Sequence, residues 1–215
     1  MPDPENSVVE RKRHDWREFA AVLLLSVTAI VTAWAGFQSS KWRGEMSISF
    51  SEASSARIEA ARQDGTANRK LTVQVTLFTQ WLDAYQGGDQ ELSTFLQTRF
   101  PEPLRTAFPV WLASEPLKNP DAAPTPFDQP DFVVAESTAA QDADARADAK
   151  FDEALVYNER GDEYTVLTVG LATVLFFAAM SGRMHQRRTQ WVLLALAGVG
   201  FLVCTGLLLS FPKLI

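Results

Sequence analysis

Three unbroken apolar stretches stand out against an otherwise mixed pattern. Phe19 to Phe37 reads FAAVLLLSVTAIVTAWAGF, without a charge or a proline. A helix of about 20 apolar residues at 1.5 Å each crosses a bilayer, so this stretch predicts a membrane span. Tyr164 to Met180 and Trp191 to Phe211 predict two more. Trp16 and Trp34 bracket the first span, about 27 Å apart at helical rise, as interfacial aromatics do. Tyr164, Trp191 and Phe211 mark the other boundaries.

Between the first and second spans the period changes to that of amphipathic helices. Trp42, Met46, Phe50, Ala53, Arg57 and Ala60 follow helical spacing, so the first span is expected to continue beyond the membrane. Asp64-Gly65 predicts a kink or a break. Leu71, Val75, Phe78, Leu82 and Tyr85 then form a stripe at i, i+4, i+7, i+11 and i+14, the mark of a helix with one buried face. Gly87-Gly88 ends it, and Asp89 offers an N-cap for a short helix with Leu92, Phe95 and Leu96 on its apolar face. Pro101 and Pro103 close that helix. Leu104, Phe108, Trp111 and Leu112 predict another, despite Pro109.

Five prolines, Pro116, Pro120, Pro124, Pro126 and Pro130, exclude regular helix or central strand from this part of the chain. It reads as a surface loop pinned by Phe127 and Phe132. From Ala135 to Asp162 an alanine-rich, charged stretch predicts a long helix returning into the second span, with Ala143, Ala147, Phe151, Ala154 and Asn158 along one face. The expected fold is an all-α membrane protein: three transmembrane helices and a helical extracytoplasmic domain between the first and second. The expected segments are a tail over 1–18, a span over 19–37, the domain over 38–162 with its proline-rich loop over 115–131, a span over 163–181, a loop over 182–190, a span over 191–211 and an end over 212–215.

Charge sets the expected orientation. Arg11, Lys12, Arg13 and Arg17 precede the first span, and Arg183, Arg187 and Arg188 lie between the second and third. Lysine and arginine are enriched in cytoplasmic segments, which puts the N-terminus and the 182–190 loop in the cytoplasm and the domain outside. Lys41 and Arg43 oppose this with fewer charges. From Lys41 to Glu163 there are 21 acids and 12 bases, a net of −9, and an acidic surface of this kind argues against nucleic acid as a partner. Ala33-Trp34-Ala35 also fits a signal-peptide cleavage site. The apolar run is long for a signal peptide, so the reading adopted is a retained anchor.

Catalytic chemistry finds little to build on. The single cysteine, Cys204, lies in the third span, and the two histidines, His14 and His185, lie outside the polar domain. The usual zinc ligands and a Ser-His pair are therefore missing from that domain. Asp142, Asp144, Asp148 and Glu153 match some positions of a calcium loop, but Arg146 and Ala147 stand where an oxygen ligand and a glycine are needed. Asp83, Asp89 and Glu91 near the double glycine read as caps and solvated groups. Between Ala20 and Phe37, Thr165 and Ser181, and Val192 and Phe211 no ionisable side chain other than Cys204 appears, which argues against a pump or coupled transporter. No enzyme activity, metal or cofactor is expected.

Two sets of residues are candidates for function. Thr28, Thr32, Gly36, Ser40 and Gly44 recur every four residues, and small side chains let helix backbones approach within a membrane. They predict a packing ridge, used either inside the three-helix bundle or between copies. Gly200 and Cys204 form a shorter one. Phe78, Trp81, Tyr85, Phe95 and Trp111, with Phe100 and Phe108, form either the domain core or an apolar pocket.

Ala29 to Trp42, Leu77 to Tyr85 and Leu117 to Phe127 together resemble a group of uncharacterised bacterial multi-span membrane proteins. The resemblance covers most of the chain from the first span to the second. It implies the bacterial inner membrane and brings no assigned activity. The expectation is an interaction or structural module whose partners are the lipid bilayer and a second copy or another membrane protein. A ligand-sensing domain is the alternative, and a pore lined by hydroxyls is a third.

Overall fold

The computed structural model describes residues 5–116, 118–184 and 186–214, apart from the side chains of 5–15 and 17. Arg11, Lys12, Arg13, His14, Arg17, Leu117 and His185 thus fall outside the described side chains. Among the described residues five α-helices run in the order α1 (Glu5–Gln86), α2 (Gln90–Thr98), α3 (Leu104–Ala113), α4 (Ala135–Ser181) and α5 (Arg187–Ser210), with a 3₁₀ turn at Pro126–Asp128. No strand occurs among the described residues. Three of these helices, α1, α4 and α5, are long and apolar enough to cross a membrane.

The predicted break at Asp64-Gly65 is absent: α1 continues through it. Glycine inside a helix costs about 1 kcal/mol relative to alanine. Here Ala60 and Ala67 are buried on either side, and that tertiary packing outweighs the local cost. The predicted end of α1 is present. Gly88 takes φ 76°, its N–H reaches Tyr85 O, and Asp89 N reaches Ala84 O. This paired closure needs the left-handed backbone that glycine adopts without strain. The Asp89 carboxylate then accepts Leu92 N–H at 3.0 Å and starts α2.

The chain divides into two compact units, one made of Met1–Phe50 and Asp152–Ile215, the other of Ser51–Phe151. In the first, α1 buries Ala21, Thr28, Ala35, Trp42 and Ser49. The spacing is seven throughout, the 3.5-residue repeat of helices packed side by side in coiled-coil fashion. On α4 the matching series is Tyr164, Leu171 and Ala178, flanked by Leu167, Val174 and Ser181. Cys204 and Leu208 of α5 complete the core around Ala35, Trp42 and Tyr164. Gly170 and Gly200 let α4 and α5 approach: an added Cβ would lie 3.1 Å from Cys204 Sγ and 3.0 Å from Val174 Cγ2 respectively.

In the second unit α1 buries Ala53, Ala60, Ala67, Gln74 and Trp81, again every seven residues. The opposing α4 contributes Ala140, Ala143 and Ala147. Surface ion pairs Glu52–Lys150 and Arg57–Asp148 (both 3.1 Å), with Lys70–Glu136, link the two antiparallel helices. Phe78, Trp81, Leu96, Phe100, Leu104, Phe108 and Trp111 form one apolar core where α2, α3 and the proline-rich loop close over α1.

Three predicted faces are corrected. Val75 is 42% exposed and Gln74 is buried in its place. On α2, Leu92 and Phe95 are exposed, and Ser93 and Leu96 face inward. On α4, Phe151 and Asn158 leave the buried face. The neighbour fixes the phase: the buried row of α1 runs through Ala67, Gln74 and Trp81, and Val75 lies about 100° around the helix from Gln74. On α4 one step of four residues, about 400°, makes Phe151 and Asn158 drift about 40° past the buried Ala147 and Ala154.

Candidate functional site

The small-residue row on α1 illustrates that drift. From Thr28 to Gly44 four steps accumulate about 160°, so the two ends of the row face nearly opposite directions. Thr28 is fully buried and Thr32 half-buried, while Gly36, Ser40 and Gly44 are exposed. A Cβ built at Gly36 or Gly44 meets nothing within 4 Å. The chain therefore spends Thr28 on its own bundle and leaves the Gly36 to Gly44 arc uncovered. Trp34 and Phe37 stand beside this arc with ring centroids 5.7 Å apart, and both are exposed.

Next to the arc, on the covered side of α1, lies a polar cluster. Ser39 Oγ donates to Gly161 O at 3.0 Å and meets Thr165 Oγ1 at 3.0 Å. Arg43 donates to Thr165 Oγ1 at 3.1 Å and pairs with Asp162 at 3.4 Å. Gly161 is what admits Arg43, whose Cγ would lie 3.1 Å from an added Cβ. The fully buried Gln38 uses both ends of its amide on one residue, donating to Leu214 O at 2.9 Å and accepting Leu214 N–H at 3.0 Å. Tyr164 Oη donates to Pro212 O at 2.8 Å. These contacts tie α1, α4 and the C-terminal residues together where the apolar runs end. Sequence reading passed over them; its only signal was the polar Gln38-Ser39 pair directly after an apolar run.

The aromatic set divides as well. Phe78, Trp81 and Trp111 are core residues, whereas Tyr85 and Phe95 are more than half exposed. Trp81 stacks on Tyr85 at 5.1 Å and meets Phe108 edge-on at 4.6 Å. Phe127 packs edge-on against Phe78 at 5.5 Å and against Phe132 at 5.1 Å, and Trp111 Nε1 donates to Ala123 O at 2.8 Å. The loop is thus pinned by the residues expected to do so. At the margin of this core is a cleft of about 140 Å³, lined by Trp81, Leu82, Tyr85, Trp111, Leu112, Glu115, Pro116 and Lys118. Its floor is apolar, and its two charged groups have opposite sign. Among the described residues no group of histidine, cysteine, aspartate or glutamate is placed to hold a metal.

No protein-family model, curated protein or solved structure matches the chain. What the fold defines is a class: an all-helical protein with three helices long and apolar enough to cross a membrane.

Proposed function

We propose that the protein is a non-enzymatic, multi-pass protein of the bacterial inner membrane that self-associates through its first span. Its N-terminus lies in the cytoplasm and the region between the first and second spans outside. The basic residues before the first apolar run and between the second and third support that orientation. The observation that carries self-association is an uncovered arc of small residues that has Gly36 at the end of the first span and continues along the same helix beyond it through Ser40 and Gly44. Lipid tails are as apolar as leucine, so helices in a bilayer associate where small residues let backbones pack closely.

The test is particle mass in mild detergent. The wild type is expected at a multiple of 23.8 kDa, with Gly36→Ile and Gly44→Ile shifted toward the monomer. Ile30→Val, 71% exposed and off the arc, should leave the mass unchanged. A wild type that is monomeric in detergent and in reconstituted bilayers would sink this reading.

The cleft beside Tyr85 supports a second reading, in which the aromatic-rich region binds a small ligand. A cavity of about 150 Å³ holds a benzene-sized group, and Glu115 with Lys118 would select a charged substituent on it. Benzylammonium titrated calorimetrically into the full-length protein tests this. Binding lost in Leu112→Arg supports the reading, and no heat from the wild type opposes it.

A further inference from the structure

A second cavity, about 280 Å³, lies in the unit that contains the three apolar runs. It sits where α1 enters its apolar run and where α4 ends and α5 begins. Its lining has two characters. Val22, Leu25 and Leu194 form an apolar wall, and Glu18, Ser181 and Gln190 supply polar atoms. Small residues keep it open: Ala21 and Ala178 are core positions too short to fill it.

The polar residues share one level. Glu18 immediately precedes the first apolar run, Ser181 is the last residue of α4, and Gln190 immediately precedes Trp191 at the start of the third run. From Glu18 to Leu25 is about 10 Å along a helix, the depth from a lipid head group to its first methylenes. Val22 and Trp191 line the cavity and are both more than half exposed. The cavity therefore opens on the flank of the bundle, where the surrounding medium is lipid.

Charge narrows the occupant. Among the described residues Glu18 is the one charged side chain in the lining. Arg183 follows the lining residue Gly182, and Arg187 and Arg188 precede Gln190 by three and two positions. We infer that this cavity takes one phospholipid with a primary-amine head group, its ammonium on Glu18 and its phosphate on the arginine side, with the upper acyl chain against Val22, Leu25 and Leu194. It rests on reading α1, α4 and α5 as membrane spans. A primary ammonium donates charge-assisted hydrogen bonds to a carboxylate. A trimethylammonium has no hydrogen to donate, and an anionic glycerol head group brings Glu18 no cation at all.

The experiment is native mass spectrometry of the delipidated full-length protein, with phosphatidylethanolamine, phosphatidylcholine and phosphatidylglycerol added separately. The expected result is one retained phosphatidylethanolamine at about a tenfold lower lipid concentration than either competitor, the effect of one additional charge-assisted hydrogen bond. Glu18→Gln should bring phosphatidylethanolamine down to the level of phosphatidylcholine, with an unchanged thermal melt showing that the bundle is intact. Equal retention of all three lipids overturns the site, as does a preference that survives in Glu18→Gln. Flotation with vesicles of the same three lipids separates the two levels. A chain that floats and shows no preference lacks only the lipid site, whereas a chain that does not float lacks the membrane reading as well.

Discussion

Gln74 of α1 accepts the backbone N–H of Leu104, the first residue of α3, at 3.0 Å, and both residues are buried. The first N–H groups of a helix have no partner within it. Pro103, at the N-cap of α3, has no side-chain oxygen and makes no side-chain cap hydrogen bond. A glutamine 30 positions earlier in the chain supplies the acceptor instead. A polar residue on the buried face of α1 thereby fixes where α3 begins and where its aromatic residues land. Gln74→Leu should destabilise the fold by about 1–3 kcal/mol, the cost of a buried donor left without a partner. Exposed Thr76→Leu should change it little. Equal denaturant midpoints for the two variants would show that this contact does not hold α3.

Phe78 and Val75 lie three residues apart on α1 with opposite fates. Phe78→Ala should cost about 3–5 kcal/mol, because Phe78 is buried among Trp81, Trp111 and Phe127. Val75→Ala should stay within about 0.5 kcal/mol. Thermal unfolding of both variants checks the face assignment, and a larger loss at Val75 would reverse it.

Gly170 and Gly36 separate packing within the chain from packing between copies. Gly170→Leu forces a side chain into Cys204 and should lower stability by about 1–3 kcal/mol through overpacking. Its particle mass should stay at the wild-type value. Gly36→Ile should do the converse, lowering mass with little effect on the melt of the monomer. Both readouts come from one detergent preparation followed by light scattering and a thermal scan.

Acid should weaken the surface links of the second unit. The hydrogen bond from Lys70 holds the Glu136 carboxyl below its ordinary range. Hydrogen bonds from Arg62 and then Gln63 bring Glu59 from an ordinary 4.5 to about 2. Thr106 and then Arg105 lower Glu102. Each folded pKa lies below its unfolded value, so each contribution is present above the unfolded pKa and is lost as pH falls through the folded one, near 2 for Glu59. The melting temperature should fall from about pH 5 to about pH 2, by less at high salt because these groups are exposed. Glu136→Gln should flatten part of that fall. A melting temperature independent of pH over this range would mean the pairs contribute nothing to folding.

The sequence by itself determined the element types and most of their ends. Apolar length marked the three candidate spans, and glycine's access to positive φ ended α1 at Gly88. The Asp89 side chain started α2, and Phe127 and Phe132 were legible as the pins of a loop too rich in proline to form anything regular. These are local matters, decided within a few residues by backbone sterics, hydrogen-bond supply and apolar length. Only the tertiary structure decided the phase of each long helix. A row taken every four residues, Thr28 to Gly44, looks continuous on paper but winds about 160° around α1. The residues that pack recur every seven, Thr28, Ala35 and Trp42 in one unit and Ala60, Ala67 and Gln74 in the other. Seven residues turn a helix by about 700°, within 20° of two full turns, so a partner helix stays in register with that row and not with the other. Which seven-residue row is buried depends on the neighbour. A glutamine can then sit inside to hold Leu104 while a valine beside it faces out.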